Sequence, residues 1–164
     1  MERLAFSLIL LVLVLSLLRI STDTLKKGAP QTVLGLRSEE EYLIQNLGWY
    51  YPVMQHLQEM PADSQTLLFF EPRSFYCMDN CKPDELMDRW KRDWLTYQDN
   101  KAIKAAWKAE SFTHFVYYQS GANLMRDTGA IQYTDENWQA LDIFLASFSE
   151  PVNFDDIYLL YTID

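Results

Sequence analysis

The stretch Gln65–Tyr76, Q-T-L-L-F-F-E-P-R-S-F-Y, decides the fold of this chain, because an apolar run ends there in a charged turn that contains a proline. Residues 66–70 are β-branched, aliphatic or aromatic without polar alternation, which is typical of a strand covered on both faces. Such strands are usually the parallel strands of α/β domains. We therefore predict a buried strand whose carboxyl end delivers Glu71 and Arg73.

The polar turn after this strand is the first candidate site, since ligands of open α/β sheets bind outside the carboxyl ends of the strands. Glu71 and Arg73 are predicted to bind a sugar hydroxyl, a diphosphate or a carboxylate, because arginine offers a planar fork to oxyanions. If the strands are parallel, Tyr76 and Gln119 lie at the same edge and join the predicted ligand-binding set. The alternative is a structural pair of Glu71 and Arg73 that pins the turn, because no glycine-rich loop accompanies them.

Helical and strand-like segments alternate along the rest of the chain. Residues 112–119 and 157–163 are further β-prone runs, and helical segments begin near Ser38, Pro52, Pro83, Asp99 and Thr134. The helix from Pro83 would turn Leu86 and Trp90 toward the core, and Trp107 would do the same from the next helix. Alternation of this kind implies parallel strands with right-handed crossovers. The sequence therefore predicts an α/β fold: a small, mostly parallel sheet of three to four strands flanked by helices, preceded by one N-terminal transmembrane helix.

Composition favours a folded domain and excludes one class of partner. The chain is 49% hydrophobic and 15% aromatic, which argues against disorder. Its formal net charge is −9, with 14 basic and 23 acidic residues, the opposite of a nucleic-acid-binding footprint. We therefore predict no nucleic-acid partner, and we predict no cofactor because the sequence contains no glycine-rich cofactor-binding loop.

The run Leu4–Ile20 is almost wholly aliphatic and is predicted to enter the membrane. A cleaved signal peptide is the alternative, but no A-x-A-like site follows the run, so we predict an uncleaved single-pass anchor. The predicted organisation is an anchor with a basic flank at 1–27, a linker at 28–37 and a soluble α/β domain at 38–164. Basic residues at the distal end of the run outnumber those before it, and this bias alone would put the domain in the cytoplasm.

Cys77 and Cys81 are the only cysteines, and their C-x3-C spacing suits a small disulfide loop in an oxidising compartment. A zinc site would need further ligands, and the only histidines are His56 and His114. We predict a disulfide and no metal site, and two free thiols remain the alternative.

Several segments together carry a family resemblance: N-L-G-W-Y at 46–50, L-L-F-F-E-P-R-S-F-Y at 67–76, the two cysteines, P-D-E-L at 83–86, D-R-W at 88–90 and T-H-F at 113–115. The set resembles the carboxyl-terminal tail of bacterial GT-C type membrane glycosyltransferases of family 39, the dolichyl-phosphate-mannose protein mannosyltransferase-like group. It covers most of residues 39–164, and its most specific piece is E-P-R-S-F-Y followed by the paired cysteines. In that family a multi-span membrane core carries the tail outside the cytoplasm.

The resemblance implies a last membrane helix with its tail domain, at the cell membrane and with the domain outside the cytoplasm. The family's catalytic acid lies in an early loop of the multi-span core, and this sequence has one hydrophobic span, so no catalytic residue is carried over. We expect a domain of a lipid-linked-sugar glycosyltransferase system that is non-catalytic alone and has a polytopic glycosyltransferase core as its partner. The alternatives are an independent membrane-tethered module that binds sugars or a protein, and a small α/β enzyme that acts through Glu71, Arg73 and Tyr76.

Overall fold

The computed structural model describes residues 2–77, 79–130 and 132–163, and the chain divides into two compact units. The first unit ends at Gly48 and the second begins at Trp49. The division falls later than residue 38, where the sequence predicts the start of the soluble domain.

The described part of the first unit consists of helices α1 (Glu2–Lys26), α2 (Ala29–Val33) and α3 (Glu39–Leu47). Within α1, Phe6–Lys26 spans 21 residues with a mean hydropathy of 2.0, long and apolar enough to cross a membrane, although a signal sequence meets the same criteria. At the start of α3, Ser38 Oγ accepts a hydrogen bond from Glu41 N at 3.1 Å, and Glu41 Oε2 accepts one from Ser38 N at 3.2 Å. This reciprocal pair is a capping box, and α3 begins where the sequence predicts a helix, near Ser38.

The second unit contains, in chain order, α4 (Tyr50–Gln58), β1 (Thr66–Phe69), β2 (Cys81–Pro83), α5 (Arg89–Tyr97), α6 (Asn100–Ala109), β3 (His114–Tyr118), α7 (Gln119–Thr128), α8 (Asp135–Leu145), β4 (Val152–Phe154) and β5 (Tyr158–Thr162). Within the described residues these strands form one five-stranded sheet in the order β2-β1-β3-β5-β4. β1 is parallel to β2 and β3, whereas β5 is antiparallel to β3 and β4. The α/β class with flanking helices is confirmed. The predictions of three to four strands and of a mostly parallel sheet are wrong.

A hairpin explains why the sheet is mixed. The connection from β3 through α7 and α8 does return the chain parallel to β3, as crossover rules require, but it returns as β4 at the sheet edge. A tight turn at Asp155 and Asp156, both with φ of 55°, then sends β5 back between β3 and β4. The sequence predicts only the second strand of this hairpin, because β4 is three residues long and directly follows Pro151.

The core on one face of the sheet is aromatic. The Trp107 ring of α6 lies 5.3 Å from that of Phe69 in β1, 5.4 Å from Phe115 in β3 and 5.2 Å from Phe144 in α8, measured between centroids. Trp90 of α5 packs against Phe144 at 5.1 Å, and all five side chains are fully buried. The cluster fixes α5, α6 and α8 against the sheet, and the prediction that Trp90 and Trp107 belong to the core is confirmed.

The segment after the disulfide loop differs from the prediction. The sequence predicts a helix from Pro83, but Cys81–Pro83 pairs with β1 as β2, and α5 begins only at Arg89. The pairing continues past β2, because Asp84 N donates to Leu68 O at 3.0 Å. Leu86, which the predicted helix would turn inward, therefore lies exposed in the turn between β2 and α5.

Candidate functional site

The turn after β1 holds a closed ion pair. Glu71 is fully buried, and its Oε1 accepts hydrogen bonds from the backbone N and the Nε of Arg73, at 2.9 and 2.7 Å. Its Oε2 accepts from Arg73 Nη2 and from the hydroxyl of Tyr158, both at 2.6 Å. Each oxygen of the carboxylate is thus bonded by two donors of the protein itself, in the bidentate geometry that arginine favours.

Three tyrosine rings surround this ion pair. Arg73 Cζ lies 4.4 Å from the ring centroid of Tyr50 and 5.7 Å from that of Tyr118, and the rings of Tyr118 and Tyr158 stack at 4.6 Å. The hydrogen bonds to Glu71 raise the pKa of Arg73 above its ordinary value. Burial, assisted by the Glu71 carboxylate, raises the pKa of Tyr50 to about 12 and also raises the pKa of Tyr158. We call these five side chains the E-P-R corner.

Two of the four residues predicted to bind a ligand meet at the E-P-R corner. Glu71 and Arg73 bond each other directly, which is the arrangement of a structural pair. Tyr76 lies near them in sequence and faces solvent, with 45% of its surface exposed. Gln119 begins α7, and the residue of β3 that reaches Arg73 is the preceding one, Tyr118. Parallel pairing of β1 and β3 thus brings the end of β3 to the corner, while ligand binding by these four residues stays a prediction.

The structure joins Cys77 and Cys81 by a disulfide, and their Cα atoms are 5.8 Å apart. The adjacent loop is also bonded to α4. The hydroxyl of Tyr50 donates to the carbonyl oxygen of Phe75, and Gln58 Nε2 donates to that of the next residue at 2.6 Å. The structure therefore has the predicted disulfide and not two free thiols.

Both histidines have partners in the protein. The ring of His56 packs edge-on against Phe154, and His114 Nδ1 lies 2.8 Å from Thr113 Oγ1. Burial lowers the pKa of His114. Within the described ranges 2–77, 79–130 and 132–163, no group of three or more His, Cys, Asp or Glu residues is placed to hold a metal ion.

A second polar site, which the sequence reasoning missed, is a cleft between β2 and the start of α5. Its volume is about 340 Å³. Its lining comprises the buried Leu67, Asp84 and Arg89 and the more exposed Lys82, Glu85, Leu86, Asp88 and Arg92. We call it the β2–α5 cleft. It exists because the chain makes a turn over residues 84–88 where the sequence predicts continuous helix.

Asp84 connects the sheet to α5 through its carboxylate. Its Oδ2 accepts from Phe70 N at 3.3 Å and its Oδ1 accepts from Arg89 N at 3.2 Å. Burial raises the pKa of Asp84 to about 6, while the two backbone N–H donors act in the opposite direction. No Lys or Arg of the described chain forms a salt bridge with Asp84, so this buried carboxyl has hydrogen bonds but no counter-ion. A buried acid with a raised pKa at a cleft is a recognised mark of a functional site.

The other charges of the β2–α5 cleft differ in how fully they are paired. Arg89 is buried, and it donates from Nε to Asp93 at 2.5 Å and from Nη1 to Glu110 at 3.2 Å. Trp107 Nε1 also donates to Asp93, at 2.7 Å. Arg92, in contrast, is largely exposed, and its Nη1 is 4.0 Å from the nearest oxygen of its ion-pair partner. The cleft therefore has a rigid interior and charged groups at its mouth that retain hydrogen-bonding capacity.

The sequence does contain a signal for the cleft. Residues 82–92, K-P-D-E-L-M-D-R-W-K-R, contain seven charged residues, but a three-residue strand is too short to be recognised from its pattern. Chemically, the E-P-R corner is closed by its own donors, and the β2–α5 cleft offers both donors and acceptors to a ligand. None of the protein-family models matches the chain, and no curated protein and no solved structure is similar to it.

Proposed function

We propose that this protein is a membrane-anchored, extracytoplasmic domain of a lipid-linked-sugar glycosyltransferase system, which binds or positions a component of that system and is not catalytic by itself. The disulfide between Cys77 and Cys81 is the observation that carries the proposal. Disulfides persist in oxidising compartments and are rare in the cytosol. A domain that faces the cytoplasm would be expected to keep these thiols reduced.

The apolar helix α1 supports the membrane part of the proposal. Its span Phe6–Lys26 has the length and hydropathy of a single membrane-crossing helix. The basic residues that follow the apolar run favour a cytoplasmic domain by charge alone, but a count of so few residues weighs less than a disulfide.

The E-P-R corner supports a binding or positioning role. Both oxygens of Glu71 are already bonded to Arg73 and Tyr158, so this carboxylate has no free lone pair in the direction of an incoming substrate. Part of the Arg73 side chain at the corner and the nearby ring of Tyr76 reach solvent, and these groups suit contact with a partner or a saccharide better than proton transfer.

The first experiment is thiol labelling of the full chain in intact cells with a membrane-impermeant maleimide, before and after treatment with a reductant. We expect labelling of Cys77 and Cys81 in intact cells only after reduction. A variant with both cysteines replaced by serine controls for labelling of other proteins. Labelling that needs cell lysis but no reductant would place free thiols in the cytoplasm and overturn the proposal.

The glycosyltransferase system itself needs a separate test. We expect the full chain, purified in mild detergent from its native membrane, to bring down a polytopic glycosyltransferase, and membranes without the chain to transfer less lipid-linked sugar. Unchanged transfer in those membranes would remove this part of the proposal and leave the membrane topology untouched.

An independent membrane-tethered module that binds sugars or a protein is the second candidate. The β2–α5 cleft favours it, because about 340 Å³ lies within the volumes usual for ligand sites. The two candidates differ in whether the chain co-purifies with a polytopic glycosyltransferase.

A further inference from the structure

We propose that the β2–α5 cleft is a binding site for a neutral, polyhydroxylated molecule of the carbohydrate class, held by Lys82, Asp88 and Arg92. The inference rests on the proposed binding role of the domain and assigns it a place and a ligand. The cleft is separate from the E-P-R corner in its lining, because neither Glu71 nor Arg73 contributes to it.

The cleft is formed by the fold before any ligand arrives. The pairing of β1 with β2 sets one wall, and the carboxylate of Asp84 connects Phe70 at the end of β1 to Arg89 at the start of α5. Arg89 is in turn fixed by Asp93 and Glu110. A preformed site does not spend binding energy on ordering its own side chains.

The balance of charges in the lining favours a neutral ligand. Three cationic and three acidic side chains line the cleft, and Arg89 is already ion-paired with Asp93 and Glu110, so no excess of positive charge is present to hold an anion. An anionic ligand would meet Asp84, Glu85 and Asp88, and the chain as a whole carries a net charge of −9, which repels anions at long range. A sugar phosphate or a diphosphate is therefore disfavoured, and so is a simple cation, which would meet Lys82 and Arg92.

Hydroxyl groups match what the mouth of the cleft provides. Each hydroxyl donates one hydrogen bond and accepts up to two. Lys82 and Arg92, whose side chains are 62% and 59% exposed, supply donors, since only one N–H of the Lys82 ammonium is used by its 3.4 Å bond to Glu110, and the carboxylate of Asp88 supplies acceptors. The 4.0 Å between Arg92 and Asp88 exceeds hydrogen-bonding distance, so a ligand hydroxyl can bond to both without breaking a tight ion pair. Leu86 and Pro83 add an apolar surface for the C–H face of a sugar ring.

The test is isothermal titration calorimetry with the full chain in detergent. Glucose, mannose, N-acetylglucosamine and mannobiose are the neutral probes, mannose 6-phosphate is the anionic probe and glucosamine is the cationic one. We expect a neutral probe to bind more tightly than both charged ones. Asp88→Asn and Arg92→Ala should each weaken its binding at least about tenfold, because a hydrogen bond to a charged group contributes about 1.5–3 kcal/mol.

Two surface variants serve as matched controls. Asp127→Asn and Arg126→Ala make the same charge changes at exposed positions that do not line the cleft, and they should leave the affinity unchanged. Thermal unfolding of each variant shows that it folds. The proposal is overturned if no neutral probe binds, if a charged probe binds more tightly, or if the cleft variants bind as well as the controls.

The outcomes separate this inference from the proposed function. If sugars do not bind but thiol labelling still places the domain outside the cytoplasm, the cleft proposal fails alone. If sugars bind at the cleft of a chain whose thiols are reduced and cytoplasmic, the proposed location fails and the cleft site stands.

Discussion

The E-P-R corner and the β2–α5 cleft each contain a carboxylate buried at the carboxyl end of a parallel strand, but the two carboxylates have different partners. Glu71 follows β1 and is bonded by the guanidinium fork of Arg73, whereas Asp84 follows β2 and is bonded by backbone N–H groups alone. The first arrangement closes the site because the counter-ion occupies the space a ligand would need. The second leaves the space open, and the pKa of Asp84 rises to about 6. A carboxylate at a sheet edge therefore marks a candidate site only when its hydrogen-bond partners leave room for a ligand.

The largest expected effect comes from removing the acid of the corner. Glu71→Ala leaves the partly exposed guanidinium of Arg73 without its partner, and the free energy of unfolding should fall by about 3–4 kcal/mol, near the lower end for broken buried ion pairs. Urea unfolding of the full chain in detergent, followed by tryptophan fluorescence, measures it. Tyr158→Phe, which removes a hydrogen bond to Glu71 and one from Arg73 but keeps the ion pair, is the matched control and should lose only about 1–2 kcal/mol. Equal losses for both variants would contradict a closed ion pair.

The acid of the cleft should make the stability of the protein depend on pH. Because the pKa of Asp84 is about 6 in the folded protein and 3.8 ordinarily, the folded state binds the proton more tightly than the unfolded state does. The contribution of Asp84 to the free energy of unfolding is therefore most favourable below about pH 4. It falls by about 3 kcal/mol as the pH rises through about 6.

The difference in unfolding free energy between the wild type and Asp84→Asn, measured from pH 4 to 7, isolates this contribution. The wild type should lose stability relative to the variant as pH rises. A difference that stays constant with pH would show that the pKa of Asp84 is not raised in the folded protein, and one that grows in favour of the wild type would show that Asp84 is paired with a cation in solution.

The disulfide should contribute less than either carboxylate. It links residues four apart in sequence, and closing so short a loop in the unfolded chain is worth about 2 kcal/mol. We expect Cys77→Ser with Cys81→Ser to lower the unfolding free energy by that amount. Hydrogen exchange should show faster opening of the loop near Phe75 and unchanged protection of β3. Loss of protection throughout the sheet would mean that the loop organises the fold and not only the corner.

The smallest expected effect concerns the mouth of the cleft. Arg92→Ala removes a largely exposed side chain whose ion pair is 4.0 Å long, so the unfolding free energy should change by less than about 0.5 kcal/mol. Thermal or urea unfolding of the variant beside wild type measures it. A loss above about 1 kcal/mol would mean that Arg92 is part of the structural network around Arg89 and is not available to a ligand.

Long or chemically distinctive segments could be predicted from the sequence, and short ones could not. The strand at Thr66–Phe69 and the capping residues Ser38 and Thr134 are where the patterns indicate them, because each depends on local chemistry. β2 and β4 were missed, since three residues show no usable period and their pairing partners are distant in sequence. The sequence does not predict the cleft either, because the cleft lies at the turn that follows β2.

The helix α7 shows how tertiary contact overrides a local signal. The sequence predicts a β-prone run over residues 112–119, but the strand ends at Tyr118, and α7 begins at Gln119 and continues through Gly121. A Cβ at Gly121 would collide with the ring of Tyr118, so the glycine allows the helix to start tightly against the end of β3. Gly121 is therefore required by the packing of the E-P-R corner, because the ring of Tyr118 belongs to that corner.

The position of β5 inside the sheet has a consequence for the order of events during synthesis. The last strand of the described chain lies between β3 and β4, and its Tyr158 bonds to Glu71, which emerges from the ribosome 87 residues earlier. A nascent chain that has reached α8 therefore has neither a complete sheet nor the hydrogen bond from Tyr158 to Glu71, and contacts so distant in sequence form slowly. Until residues 158–162 are available, one edge of β3 is unpaired, so this domain should depend on late folding, and on protection of that edge, more than its small size suggests.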